Sequence, residues 1–191
     1  EKKSEHAGIH SFHLEKNAKV RYVEKHIASG QSGEKIFNPE TNIEMKENSQ
    51  MEMETTQLGG VTSSVRETKA TLEDNAKLII KEKVLTSGDE YVKTMFEVAL
   101  KGENSSVDVI SRGVARDTSK QVFYSNIMGE NKCFGHVECD AILMDKAMIS
   151  STPVVSANNV DATLTHEAAI GKIAGEQLTK LMTLGLDEKE A

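Results

Sequence analysis

Apolar and polar residues alternate with a period of two in six short segments of this chain: Val20/Tyr22, Met51/Met53, Leu78/Ile80, Val107/Val109, Phe134/His136 and Ala162/Leu164. Such alternation turns one face of an extended strand toward a core and the other toward solvent. Each pair lies three and five residues after an asparagine, at Asn17, Asn48, Asn75, Asn104, Asn131 and Asn159, with successive steps of 31, 27, 29, 27 and 28 residues. A second alternating segment precedes five of these asparagines, at 43–45, 70–72, 96–100, 122–128 and 153–156. Asparagine suits a turn position that needs a left-handed backbone. Six units of two strands and two turns, with no helix between them, predict a parallel β-helix of about six coils over residues 1–173. An antiparallel sandwich with evenly spaced strands is the alternative. The fixed step and phase favour the solenoid, in which residues of equal phase stack in adjacent coils.

The period changes after Ile173. Leu178, Leu181 and Met182 follow helical spacing over Glu176–Leu184, and Gly185 supplies a C-cap. Asp187 and Glu190 have the spacing of an N-cap and its capping-box partner, so a second helix is expected to start there. Residues 174–191 therefore read as the beginning of a helical region, suited either to capping an open solenoid end or to docking a partner.

Composition narrows the function classes. The formal net charge of −7, with Lys and Glu interspersed, argues against a nucleic-acid binder. No run approaches the roughly 20 apolar residues of a membrane span, and the first residues, EKKSEHAG, contain no apolar core of a signal peptide. Two cysteines make no disulfide framework, so reduced thiols in a cytoplasmic protein are expected.

Candidate chemistry centres on Cys139 and the His166–Glu167 pair. Cys139 and Glu167 each lie eight residues past an aligned asparagine. One coil per repeat would place them in equal phase on neighbouring coils, with backbones about 4.8 Å apart. A thiolate, a carboxylate and an imidazole within a few ångströms can ligate iron or zinc. On a regular strand His166 and Glu167 point to opposite faces, so only one points inward unless a bulge intervenes. The plainer possibilities are a buried cysteine acting as a small hydrophobe and an exposed His–Glu pair. Cys133 is the weaker thiol candidate. His136 falls on an apolar phase and is expected in the core, and His10 with His13 reads as an incidental pair. The chain contains no phosphate loop, nucleophile elbow or HExxH motif. An unrelated β-helix enzyme would need a charged groove along one sheet, and no such cluster stands out.

The set ECDAILMD (138–145), THEAAIGKI (165–173) and GEQLTKLMTLGLDEKEA (175–191) resembles the C-terminal core of the SufB/SufD family, most clearly over residues 105–191. The resemblance implies a right-handed parallel β-helix followed by C-terminal α-helices. It implies a scaffold, not an enzyme, on which an iron–sulfur cluster is transiently assembled. The implied partners are a SufC-type ABC ATPase docked through the C-terminal helices, a second SufB/SufD-like subunit forming a homodimer, and a sulfur donor protein. By motif match Cys139 corresponds to the cluster-assembly cysteine, with Glu167 and His166 as metal-binding companions. His-Glu rather than His-Gly at 166–167 is similar to the B-type scaffold. Residues 1–191 show no counterpart of that type's N-terminal helical domain or closely spaced cysteines, so either a compact B-like scaffold or part of a longer one is expected. A family member that has lost assembly chemistry and serves as a structural partner of the ATPase is the alternative.

Overall fold

The computed structural model describes residues 3–27 and 33–172. Twelve strands follow one another in this region: β1 (Lys3–Leu14), β2 (Lys19–His26), β3 (Glu34–Met45), β4 (Gln50–Leu58), β5 (Ser63–Leu72), β6 (Lys77–Thr86), β7 (Tyr91–Leu100), β8 (Ser106–Ala115), β9 (Lys120–Gly129), β10 (Phe134–Leu143), β11 (Met148–Ala157) and β12 (Thr163–Lys172). Odd strands form one six-stranded sheet and even strands another, each in chain order. Every pairing is parallel. Each coil thus gives one strand to each sheet, and the chain winds as a parallel β-solenoid of about six turns. The helical region expected at 174–191 lies outside the described residues.

Parallel register stacks like on like, which is why the alternating pattern recurs. In the even sheet Val20, Met51, Leu78 and Val107 form one inward row, and Tyr22, Met53, Ile80, Val109 and Val137 the next. Ile43, Ala70, Val98 and Ile127 meet them from the odd sheet. Leu72, Leu78, Ile80, Phe96 and Leu100 have no solvent exposure. Full burial of a large apolar side chain contributes about 1.5–3 kcal/mol. On the outer faces Lys16–Glu47, Lys46–Glu73 and Lys81–Glu52 pair between coils at 2.6–2.7 Å, as expected of a solvated surface of mixed sign.

The asparagine corners hold for four coils. Asn17, Asn48, Asn75 and Asn104 take φ values of 55–62°. Each donates its backbone N–H to a carbonyl of the next coil, as in Asn75 N to Glu103 O at 2.8 Å. Asn131 and Asn159 do not continue the series. Phe134 stands opposite Ser106 and Thr163 opposite Phe134, so the last two coils advance 28 and 29 residues, against asparagine steps of 27 and 28. Lys132 and Asp161 occupy the places that Asn104 holds one and two coils earlier. The opposite corner uses Gly88, Asp117 and Asp145, all at φ 55–58°.

Candidate functional site

Cys139 points into the solenoid from β10 and is 4% exposed. It is one member of a row of equal phase that crosses the even sheet: Glu24, Thr55, Glu82, Ser111, Cys139 and Ala168. All but the last are polar or sulfur-bearing, and they lie beside the apolar rows, so the interior has an oily half and a polar half. A small cavity of about 20 Å³ opens among Glu82, Thr94, Ser111, Gln121 and Cys139, room for about one water molecule. Burial pushes the Cys139 thiol up, the Ser151 hydroxyl pulls it back, and the Glu82 and Asp140 carboxyls add to the rise. The resting group is therefore a protonated thiol.

The row fixes where the His–Glu pair stands. Cys139 faces Ala168, Val137 faces His166 and Glu138 faces Glu167. The expectation that Cys139 and Glu167 share a phase is corrected: the final coil is one residue longer than the asparagine step, and a one-residue slip moves a side chain to the other face. Pairing runs unbroken along β12, so no bulge turns Glu167 inward. Glu167 lies on the outer face beside Glu138, whose carboxylate accepts a 3.4 Å bond from Arg112. His166 has the inward phase of Leu164, on the same face as Cys139 and one coil away. Strand spacing and rise set their backbones roughly 8 Å apart. His166 is nonetheless exposed, because no coil follows β12 among the described residues. Among the described residues no group of three or more His, Cys, Asp and Glu side chains is arranged to hold a metal ion.

The other candidates separate. Cys133 is a second buried free thiol, raised by its burial. His136 is not in the core: it faces outward, half-buried, with Nδ1 2.9 Å from Asp108 Oδ1. Its expected apolar phase followed from Asn131, which is one residue out of register. His10 and His13 do not converge. His10 meets Tyr22 Oη at 3.3 Å and His13 meets Glu44 at 3.0 Å.

Three inward ionisable groups, Arg66, Glu24 and Glu82, escaped the sequence reading. Arg66, 3% exposed, donates from Nη1 to Glu24 Oε2 at 2.9 Å and sits over the Phe37 ring at 5.7 Å. Burial pushes Glu24 up, but Arg66 and His26 outweigh it and hold the carboxyl below its usual range. Glu82 is the opposite case. Its Oε1 and Oε2 accept bonds from Thr94 and Ser111, each at 2.9 Å. Burial dominates and raises it despite Arg66 and those two hydroxyls. The signal was present: the seventh residue after each of the first four asparagines is Glu24, Thr55, Glu82 and Ser111, polar groups on the buried phase.

Glu82 makes stability depend on pH with a definite sign. Above its ordinary value near 4.5 the unfolded carboxyl has lost its proton while the folded one retains it. The unfolded state then binds fewer protons, and stability falls as pH rises toward the folded pKa. Glu82→Gln removes that slope. Urea unfolding at pH 5 and pH 8 should show the variant gaining on the parent as pH increases; parallel behaviour would show that Glu82 ionises freely in the fold.

A stack of parallel coils with a polar seam that reaches a buried thiol near its last strand defines the core of a parallel β-solenoid protein. The family model for the SUF system FeS cluster assembly SufBD core domain matches residues 1–191, and the chain belongs to this family. It is 33% identical over 178 residues to an iron–sulfur cluster assembly SufBD family protein of Methanocaldococcus jannaschii, covering 92% of this chain and 56% of the relative. A SufBD family protein of Pyrococcus horikoshii is 31% identical over 188 residues, covering 97% and 42%. One of Archaeoglobus fulgidus is 30% identical over 188 residues, covering 97% and 50%. The chain spans about half the length of these curated relatives. The family bears out the resemblance seen in the 138–191 motifs and ties the chain to iron–sulfur cluster assembly. No helix among the described residues is long and apolar enough to cross a membrane.

Proposed function

We propose that this chain is the core of a cytoplasmic scaffold subunit on which an iron–sulfur cluster is built, in partnership with a SufC-type ABC ATPase, a sulfur donor protein and a second copy of the subunit. The cluster is cargo, not a resident cofactor, and the chain performs no catalysis of its own. The observation that carries the reading is the position of Cys139 within a SufBD core: an inward thiol at the end of a polar seam, one coil from an open edge that carries His166. Among the described residues β12 has a neighbour on one side only, so a second subunit pairing there would close a site over its edge. In this reading ATPase motion separates the last coil from β10. Cys139 gives its proton to solvent as its sulfur ligates iron, His166 supplies nitrogen from the same face, and Glu167 reaches the metal around the edge of β12.

Anaerobic reconstitution with ferrous iron and sulfide tests the assignment. The parent dimer should develop cluster absorbance, Cys139→Ser should lose nearly all of it, and Cys133→Ser should retain it. Undiminished absorbance in Cys139→Ser would overturn the site.

The second reading is a structural partner of the ATPase that has lost assembly chemistry. The protonated, buried thiol and the outward position of Glu167 favour it. It expects ATPase capture in a pull-down without iron in the captured protein.

A further inference from the structure

A hydrogen bond made across the core two coils before Cys139 has a counterpart at the thiol. Thr94 on β7 donates from Oγ1 to Glu82 Oε1 on β6 at 2.9 Å, over a separation of 12 residues. Stacking carries both positions forward. Thr94, Phe123 and Ser151 stand opposite one another in the odd sheet, and Glu82, Ser111 and Cys139 in the even sheet. Ser151 is therefore placed toward Cys139 as Thr94 is toward Glu82, with the same separation of 12 residues. Parallel register repeats backbone positions coil after coil, so the two pairs share one geometry.

The surrounding side chains leave Ser151 as the donor. Ser111, the neighbour of Cys139 within its own sheet, already gives its hydroxyl to Glu82 Oε2 at 2.9 Å, and Phe123 has no polar group to offer. Ser151 Oγ is buried and has no other hydrogen-bond partner. A buried hydroxyl without a partner is costly, and a cysteine sulfur can accept a hydrogen bond. Burial raises the Cys139 thiol and the Ser151 hydroxyl acts against that rise, the sign of a donor aimed at sulfur. Ser125 is the competing donor: it faces inward from β9, has no solvent exposure, and its Oγ is also unpartnered. Its place in the stack argues against it. Two coils earlier that place belongs to Thr68, whose hydroxyl makes no bond to Glu82 in the same coil.

We infer that Ser151 is a positioning residue for the Cys139 sulfur, donating its hydroxyl to Sγ both in the resting thiol and when that sulfur ligates iron. The second half of the inference rests on the scaffold reading. A donor to a ligating sulfur draws charge from it and raises the reduction potential of the cluster. In that reading β11 returns the donor to the loaded sulfur when the last coil closes, so the coil that admits iron also tunes it.

The infrared S–H stretch of the full chain tests the contact without metal. Cys133→Ser leaves Cys139 as the single thiol. In that background Ser151→Ala should displace the band and Ser151→Thr should return it toward the parent. Ser151→Val, which matches threonine in shape but lacks the hydroxyl, should displace it again, and this pair decides the matter if alanine loosens the last coil. A band that does not separate valine from threonine would overturn the inference. So would a band that moves in Ser125→Ala and stays in place in the Ser151 variants. Reconstitution with ferrous iron and sulfide then tests the loaded sulfur. The Ser151→Val cluster should show displaced visible bands and a lower reduction potential than the Ser151→Thr cluster; identical spectra and potentials would overturn the extension to iron. Absorbance that survives Cys139→Ser would instead sink the scaffold reading, and the infrared band alone would then decide the bond from Ser151.

Discussion

Arg66→Met should destabilise the solenoid by about 3–5 kcal/mol, the range for breaking a buried ion pair from one side. Arg66 is enclosed between the sheets and bonded to Glu24, whose side chain is 9% exposed. Methionine fills much of the same volume, so the loss is not chiefly a cavity. What remains is a carboxylate flanked by Tyr22 and by His26, 2.6 Å away, in a place largely closed to water. For a domain of this length the expected fall in Tm is roughly 6–20 °C. Removing the stranded charge as well, in Arg66→Met/Glu24→Gln, should recover most of the loss. The penalty also has a pH signature opposite to that of Glu82. Because Glu24 is held below its ordinary value, its pairing stabilises the fold above the ordinary carboxylate pKa near 4.5, and that contribution is lost as pH falls through the folded value. The single variant should therefore differ most from the parent at neutral pH and converge on it in acid. A loss under about 1 kcal/mol at pH 7 would show that water reaches the Glu24–Arg66 pair.

These charges explain which parts of the architecture could be read from the chain. The apolar rows are legible because parallel stacking repeats one physical requirement every coil. Val20, Met51, Leu78 and Val107 must all be apolar, and all are. The first four asparagines are legible for a related reason, since a left-handed corner is cheap for few residues. The register fails at Asn131 because that residue does a different job. Its Oδ1 accepts from Lys132 N at 2.8 Å and its Nδ2 donates to Lys101 O at 3.4 Å, and it does not take the left-handed backbone of the first four asparagines. A side chain can cap a corner from more than one place, whereas a backbone dihedral cannot be moved along the chain. Aligning on side-chain identity therefore slipped where aligning on phase would not have. Gly135 is the residue that hides the correct phase. It fills the row between Val107 and Leu164 but lacks a side chain, because a Cβ there would meet Leu164 at 2.7 Å and Ile127 at 2.9 Å. With Gly135 silent, Phe134 and His136 look like the inward pair, Cys139 pairs with Glu167 on paper, and Ala168 takes that place in the fold.

Gly102→Ala should cost about 3 kcal/mol, at the upper end of what overpacking a close contact costs, and it probes the coil stacking on which the position of Cys139 depends. A Cβ on Gly102 would lie 2.0 Å from both Asp74 N and the Glu73 carbonyl carbon. These are backbone atoms of the preceding coil, so no rotamer change relieves the collision. The corner at 101–104 must lift away, and the bonds Asn75 N to Glu103 O at 2.8 Å and Glu103 N to Asp74 Oδ1 at 2.7 Å would lengthen or break. In a solenoid each coil is held chiefly by its neighbours, so the damage should spread from the interface between the third and fourth coils. Gly88→Ala is the informative comparison. Gly88 has φ 58° with nothing within 4 Å of an added Cβ, so its cost is the left-handed conformation alone, about 1–2 kcal/mol. Urea unfolding should rank Gly102→Ala clearly below Gly88→Ala. Hydrogen exchange should show faster opening on both sides of the 73–75 and 101–104 corners in Gly102→Ala only. Equal losses in the two variants would mean that the coils separate at this corner without strain, and that Cys139 is held in place by its own strand pairings rather than by the continuity of the stack.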